Sequence, residues 1–329
     1  MNDFKRSEYA QQVEYLRGLN GVRTGHQGHE VMLDPADAHA NFDPQHAAAI
    51  AQFFEYADEQ GAQAIDWHTR ANHGASSQVC CVNFLFPMAR DPGLLSRWVD
   101  HVMGIRGSTV LPIDRRCEED WFLTFEWFPA VDYLNEANSK GARKRGANST
   151  SVDAAVRFNH EGTRHLLLVE WKYTETYAAK RSSSHLKGDP TRERRYANLW
   201  RRPHGPVRSD ADVTLSEFFL DPWYQLLRQQ MLAYHCENDP LSEFDKVTVL
   251  HVSPSQNLEL KRAKGPLAEK MGKTDLFEGF VDLLEPAFRD RFLAIDTEKA
   301  FGFPELKSDH TSFAWLRSRY ATLLPVSAV

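Results

Sequence analysis

Cysteine is scarce in this 329-residue chain, and Cys80, Cys81, Cys117 and Cys236 keep no metal-ligand spacing. Adjacent Cys80 and Cys81 are not a Cys-x-x-Cys pair, which excludes a zinc knuckle and implies no disulfide framework. A reducing cytoplasm is therefore the expected location. Long apolar runs are missing too: nothing approaches the roughly 20 residues of a membrane span. The opening Met-Asn-Asp-Phe-Lys-Arg-Ser-Glu-Tyr is charged throughout and unlike a signal peptide, so no membrane partner is expected. Nor is there an excess of positive charge. The formal net charge is −6, so any polyanion-binding surface must be local. No internal repeat and no low-complexity tract interrupts the chain.

What is present is ordinary for a globular protein: 42% of residues are hydrophobic and 26% charged. The length suits one large domain or two smaller ones. Residues 1–62 read as polar helices and loops, with Ala47 to Ala57 the clearest helical stretch. Ser76 or Ser77 is placed to cap a helix running to Pro87, and a further helix covers Leu94 to Met103. Trp121 to Phe128 is aromatic enough for one buried strand. A long polar segment, 174–212, precedes a helix from Leu215 to Cys236, and Val247 to Val252 reads as a strand. From about residue 275 the pattern is helical, with Phe277, Phe280, Val281 and Leu284 at helical spacing.

The most informative stretch lies between them. Ser151 to Phe158 and Arg164 to Tyr173 flank Asn159-His-Glu-Gly162 and read as a β-hairpin. A turn centred between Glu161 and Gly162 sets Phe158 opposite His165, Val156 opposite Leu167 and Asp153 opposite Glu170. Opposed residues share a sheet face at roughly 5 Å between Cβ atoms, and opposed like charges repel. A divalent cation with oxygen ligands would relieve them. Lys172 projects from the same face because strand side chains alternate. Glu-x-Lys alone is weak, since Glu259-Leu-Lys261 and Glu305-Leu-Lys307 repeat it; the alternative is a solvent-facing ion pair. Only Glu170-Trp-Lys172 closes an apolar run with an Asp in register. A one-residue slip would move Asp153 to the other face.

Asp, then a strand, then Glu-x-Lys resembles the PD-(D/E)XK nuclease superfamily. Three longer blocks resemble a branch of uncharacterised restriction-endonuclease-like proteins: His73-Gly-Ala-Ser-Ser-Gln-Val-Cys-Cys-Val-Asn-Phe84, Arg145-Gly-Ala-Asn-Ser-Thr-Ser-Val-Asp153 and Val169-Glu-Trp-Lys-Tyr-Thr-Glu175. The likeness covers about 70–255, and Val152 stands where the superfamily's Pro would be. It implies an α/β fold, a restriction-endonuclease-like core with a mixed central sheet flanked by helices and with N- and C-terminal helical additions. The corresponding division is 1–62 as an N-terminal helical extension, 63–256 as the nuclease core and 257–329 as a C-terminal helical region.

The resemblance further implies a metal-dependent nuclease. Asp153, Glu170 and the backbone carbonyl of Trp171 would hold Mg²⁺, with Mn²⁺ as substitute, and Lys172 would orient or activate the attacking water. DNA is the expected substrate, with products carrying 5′-phosphate and 3′-hydroxyl ends. A homodimer is compatible with the likeness. RNA, or a non-catalytic nucleic-acid-binding protein on the same fold, are the alternatives.

Other candidates surround this set. Glu126, inside an apolar run, is either a further acid of the site or an exposed strand-end residue, and Glu136 is a rival. Gln78 either contacts the metal's water or substrate, or lies on a helix surface. His68 and His73 are read as capping or packing residues rather than phosphate or metal contacts. Gln225, Gln229 and Gln230 share one helix, and Gln230 with Tyr234 resembles the Gln-x-x-x-Tyr of RecB-like nucleases, which supports the site and touches DNA. Between Lys180 and Arg208, nine Lys and Arg face only Asp189 and Glu193. With Tyr196 and Trp200 interleaved for stacking, Arg192, Arg194, Arg195, Arg201 and Arg202 are expected nucleic-acid contacts. Arg143, Lys144 and Arg145, just before the Asp153 strand, form a second basic cluster.

Overall fold

The computed structural model describes residues 2–57, 64–67, 71–143, 149–177, 189–304 and 311–324. Its centre is a mixed sheet of β1 (Thr109–Leu111), β4 (Leu123–Trp127), β5 (Val152–His160), β6 (Thr163–Trp171), β7 (Lys246–Ser253) and β8 (Phe292–Asp296). The order runs β1-β5-β6-β7-β8, and β4 also pairs with β5. β5 and β6 are antiparallel, whereas β6, β7 and β8 run parallel. A separate two-stranded ribbon joins β2 (Asp114–Arg116) to β3 (Glu119–Trp121).

The β5–β6 hairpin has the register expected from the sequence: Phe158 pairs with His165, Val156 with Leu167 and Ala154 with Val169. Its turn is Glu161 at φ 49° and Gly162 at φ 76°. A type I′ hairpin loop needs positive φ at both central positions, and Gly162 takes the second without a Cβ penalty.

Two apolar layers bury the sheet. On one face, Leu167, Val169 and Trp171 of β6 meet α2 (Ala47–Glu55), α3 (Ser77–Leu85) and α4 (Pro92–Met103), together with Leu316 and Tyr320 near the C-terminus. On the other, Leu166 and Leu168 meet α6 (Trp223–Asn238) and the helix Leu276–Leu283. A strand covered on both sides reads as a continuous apolar run. Each such buried side chain contributes roughly 1.5–3 kcal/mol. The N-terminal helix α1 (Asp3–Arg17) and the helix Thr311–Arg319 complete the first layer, and α5 (Asp189–Tyr196) lies beside the second.

The structure corrects three element assignments. Trp121 to Phe128 is not one strand: at Phe122 the chain leaves the ribbon, and its N–H goes to the Ala89 carbonyl at 2.9 Å before β4 joins the sheet. Leu215 to Cys236 is not one helix, because Pro222 drives the preceding residue out of the helical region. A single 3₁₀ turn, Leu215–Phe218, comes first and α6 starts at Trp223. Finally, Phe292–Asp296 lies in the stretch read as helical, yet it extends beside β7 and adds the outermost strand. Among the described residues no helix is long and apolar enough to cross a membrane.

Candidate active site

β5, β6 and α6 deliver the central residues. Glu170 is the penultimate residue of β6 and is nearly fully buried, at 3% exposure. Alternation puts it on the α6 side, one residue beyond Val169 of the opposite layer. Gln225, in the first turn of α6, donates to Glu170 Oε1 at 2.5 Å, and Gln229, one turn later, donates to Oε2. The Lys172 ammonium pairs with Oε1 as well. A carboxylate offers about four lone-pair sites, so these donors leave room for one further partner.

Asp153 lies beside them on β5, where its Oδ2 accepts the Trp171 N–H at 2.7 Å. Burial, followed by the charges of Glu170 and Glu126, holds the Asp153 carboxyl well above the usual carboxylate range, against the pull of Lys172 and the Trp171 N–H. Burial works against the Lys172 ammonium, but Glu170, Tyr177, Asp153 and Glu175 outweigh it and keep its pKa well above the ordinary value. Lys172 is thus a fixed positive charge in this arrangement.

Glu126 is buried, not at an exposed strand end. It falls between the register pairs Phe125–Ala154 and Trp127–Val152, which sets it next to Asp153. Its φ of 52° is left-handed, a conformation costing a non-glycine residue roughly 1–3 kcal/mol. Gln78, on the first turn of α3, donates to Glu126 Oε1 at 2.9 Å. Ser76 caps that helix through the Val79 N–H.

Two cavities open onto this group. One, of about 330 Å³, is lined by Glu126, Asp153, Glu170 and Lys172 on the sheet side and by Glu136, Arg195, Tyr196, Tyr224 and Arg228 across from it. The other, of about 360 Å³, shares Asp153 and Lys172 but opens toward α1 and the start of α3. Glu136 accepts from Thr150 Oγ1 at 2.9 Å and Tyr196 OH at 2.7 Å, and its Oε1 lies 3.3 Å from Arg228 Nε. That carboxylate therefore fastens its own loop to α5 and α6. Among the described residues, no group of three or more His, Cys, Asp or Glu side chains is disposed to hold a metal ion.

Other sequence candidates do not contact Glu170. Gln230 points elsewhere on α6: it is buried, and neither of its amide atoms has a hydrogen-bond partner among the described residues. Tyr234 donates to the Pro203 carbonyl at 3.0 Å and packs on Phe288. The pair touching Glu170 is Gln225 with Gln229. The same i, i+4 spacing marks both pairs, so spacing alone does not choose between them. His73 accepts the Ala75 N–H at 3.0 Å and packs on Tyr9, a capping and packing role. His68, Lys144, Arg145, Lys180, Arg181 and Lys187 lie outside the described residues.

The arginine-rich segment differs from the expectation of a stacking clamp. Tyr196 and Trp200 are buried in the second core layer, so neither offers a face to a base. Arg195 donates to the Glu136 carbonyl at 2.9 Å, and Arg192 to Asp189 at 2.9 Å. Arg201 donates to the Ala211 carbonyl at 2.7 Å, Arg202 to Tyr234 OH at 3.2 Å, and Arg143 to the Val131 carbonyl at 3.0 Å. Arg194 is exposed. These guanidiniums chiefly tie loops down, and Arg192 and Arg228 flank the Tyr224 ring at 4.9 and 5.2 Å.

The mixed sheet, its helical layers and the clustered Asp, Glu and Lys at the end of one hairpin form a restriction-endonuclease-like fold. No curated protein and no solved structure matches the chain. A family model described as "Restriction Endonuclease associating with ARP" matches residues 22–321, nearly the whole length. The chain belongs to that family.

Proposed function

We propose that this protein is a Mg²⁺-dependent nuclease that hydrolyses phosphodiester bonds, with DNA as its substrate. One observation carries the reading: Asp153, Glu170 and Lys172 gather on one side of the hairpin end and line one cavity. The donors fit a hard cation. Asp153 is a half-buried carboxyl repelled by Glu170 and Glu126, and a cation shared with Glu170 and the Trp171 carbonyl would relieve that repulsion. Mg²⁺ takes one or two carboxylates and keeps several waters, so no all-protein cage is needed. When bound, it would lower the pKa of a water and offset charge on the scissile phosphate.

The chain's own residues supply the rest. Gln225 and Gln229 fix the Glu170 carboxylate from α6, and outer partners of this kind typically set affinity by 10–100-fold. The Trp171 N–H fixes Asp153. Lys172, held as a cation, orients the attacking water and steadies the negative transition state; charge placed in this way is worth roughly 10²–10³ in rate. The family's description also pairs the endonuclease with ARP, so a protein partner belongs to this reading.

One observation favours a binding-only protein: Gln225, Gln229 and Lys172 already satisfy most of Glu170. The two readings separate in one experiment. Supercoiled plasmid and linear DNA, with a structured RNA alongside, are incubated with the purified protein in Mg²⁺, Mn²⁺ or EDTA, next to Lys172→Ala. Metal-dependent cutting lost in Lys172→Ala, with DNA affinity retained, supports the nuclease. DNA binding with no turnover in either metal supports the binding protein, and cutting confined to RNA corrects the substrate.

A further inference from the structure

The cavity on the α1 side shares Asp153 and Lys172 with the site described above, but its α1 wall has no role in the hydrolysis as described. Its volume of about 360 Å³ falls within the roughly 300–1,000 Å³ of small-molecule sites. Lys5 and Tyr9 of α1, His73, Asp153 and Lys172 are among its walls. Lys5 and Tyr9 are four residues apart and so share a helix face. They are directed there because the neighbouring stripe Phe4, Glu8, Gln12 and Leu16 is buried.

That stripe locks α1 to the end of β6. Glu8, fully buried, accepts from Tyr173 OH and from Thr322 Oγ1. Gln12 donates to Tyr173 OH at 3.3 Å and to the Arg319 carbonyl at 3.2 Å. Tyr173 directly follows Lys172, so α1 is registered against the reactive lysine itself. A buried carboxylate is costly without such partners, which fixes the helix in one position.

The lining has a consistent chemistry. Lys5 Nζ lies 5.3 Å from the Tyr9 ring centroid, and the Tyr9 and His73 rings meet at 5.3 Å and 64°. The Glu175 carboxylate is already committed, to Ser77 Oγ and to the Tyr173 N–H at 2.8 Å. Asp153 belongs to the reactive group. What remains is the Lys5 ammonium on a flexible stem beside the half-buried Tyr9 ring, with Lys172 already fixed on Glu170; a cation next to an aromatic ring is the combination that binds a phosphate and stacks a base.

We propose that this cavity is a nucleotide subsite, taking the nucleotide next to the scissile phosphate with its base against the half-buried Tyr9 ring, which His73 backs, and a phosphate drawn to Lys5. The assignment rests on the nuclease reading. It concerns α1, which lies outside the matched residues 22–321. Residues 1–62 were expected to be an extension on the core; on this proposal their first helix forms a wall of the substrate site.

The test titrates the full-length protein with deoxyadenosine 5′-monophosphate, and separately with inorganic phosphate, by calorimetry in Mg²⁺. Stacking of one base is worth roughly 1–3 kcal/mol, so the nucleotide should bind at least about fivefold more tightly than phosphate. Tyr9→Ala should erase that margin and raise KM for cleavage, whereas Tyr9→Phe should keep both. Lys5→Glu, at a surface position that does not endanger the core, should weaken both ligands. Equal affinity for nucleotide and phosphate in a wild-type protein that cuts DNA would overturn the subsite. So would a folded Tyr9→Ala with unchanged nucleotide affinity and KM. A wild type that cuts nothing yet shows the Tyr9-dependent margin would sink the nuclease reading and leave the subsite standing.

Discussion

Asp153 takes the backbone N–H of Trp171 at 2.7 Å, so the acid on β5 is held by the peptide linking Glu170 to Lys172 in sequence. Asn in place of Asp153 keeps an oxygen acceptor and removes the charge. The folded-state pKa of Asp153 is raised, so its ionisation opposes folding as pH rises through and above the ordinary carboxylate value. Asp153→Asn should therefore unfold at a higher temperature than wild type at pH 7 in EDTA. Mg²⁺ should reverse the order, since only wild type gains binding energy. Thermal scans of both proteins with and without Mg²⁺ decide this; equal Mg²⁺ stabilisation of the two would remove Asp153 from the metal.

Adjacent glutamines on α6 should behave in opposite ways. Gln229→Leu strips a donor from the buried Glu170, and weaker Mg²⁺ binding by about 10–100-fold is expected. Gln230→Leu removes two buried amide atoms that lack partners among the described residues, so its stability should be unchanged or higher. Mg²⁺ titrations and urea melts of the two variants check the pair. Greater loss of metal affinity in Gln230→Leu would restore the Gln-x-x-x-Tyr assignment.

The hairpin register was legible because local chemistry sets it: a two-residue turn with Gly162 fixes the pairing, and alternation carries Asp153, Glu170 and Lys172 with it. The α6 contact was only half legible. Neighbouring helix residues differ by about 100° around the axis, and only the packing of α6 on β6 shows that Gln229 faces Glu170. Glu126 was visible as a carboxylate in an apolar run, while its left-handed backbone and its bond from Gln78 depend on a helix 48 positions away. The role of α1 left no local trace, since Glu8 reaches Tyr173 across 165 residues. Lys5 gives no sequence sign that it lines a cavity with Asp153.

Arg319 should be a stability residue of unusual weight. It is fully buried and donates to the Asn41 carbonyl, to Asn41 Oδ1 at 2.9 Å and to the Gly74 carbonyl at 3.3 Å, while Nε reaches Gln12 Oε1 at 3.2 Å. Its guanidinium also lies 5.0 Å from the Tyr15 ring centroid. Arg319→Ala leaves the buried side-chain oxygens of Asn41 and Gln12 without this donor, while the Asn41 carbonyl keeps only Asn83 Nδ2 at 2.9 Å; the loss should cost about 3–5 kcal/mol in urea unfolding. Arg319→Lys should recover only part of this, because an ammonium cannot reproduce the planar fork. A loss under about 1 kcal/mol would mean that water replaces the network.

Acid should weaken the fold through His251 before most carboxylates titrate. Register sets His251 beside Glu170 on β7, and it packs on Phe277 at 4.7 Å with Nδ1 lacking a partner among the described residues. Burial, helped by Lys172 and Lys261, lowers its pKa to about 3. The unfolded chain takes up a proton near the ordinary value of about 6.5 while the folded protein does not. Stability is therefore unaffected by His251 above that pH and falls as pH drops from about 6.5 toward 3, by up to about 1.4 kcal/mol per unit. His165, lowered to about 4 by burial and then by Lys246, adds in the same direction. Asp245, pushed down by Arg164, loses stability only below the ordinary carboxylate value; between about pH 5 and 6.5 the raised carboxyls of Asp153 and Glu8 act in the opposite direction, so His251 is isolated by comparing its variant with wild type. Urea melts at several pH values in that window should show a shallower slope for His251→Leu than for wild type. Identical slopes would mean that His251 gains its proton in the folded protein, by a local opening beside Glu170 that would also expose Glu170 and Asp153 to solvent.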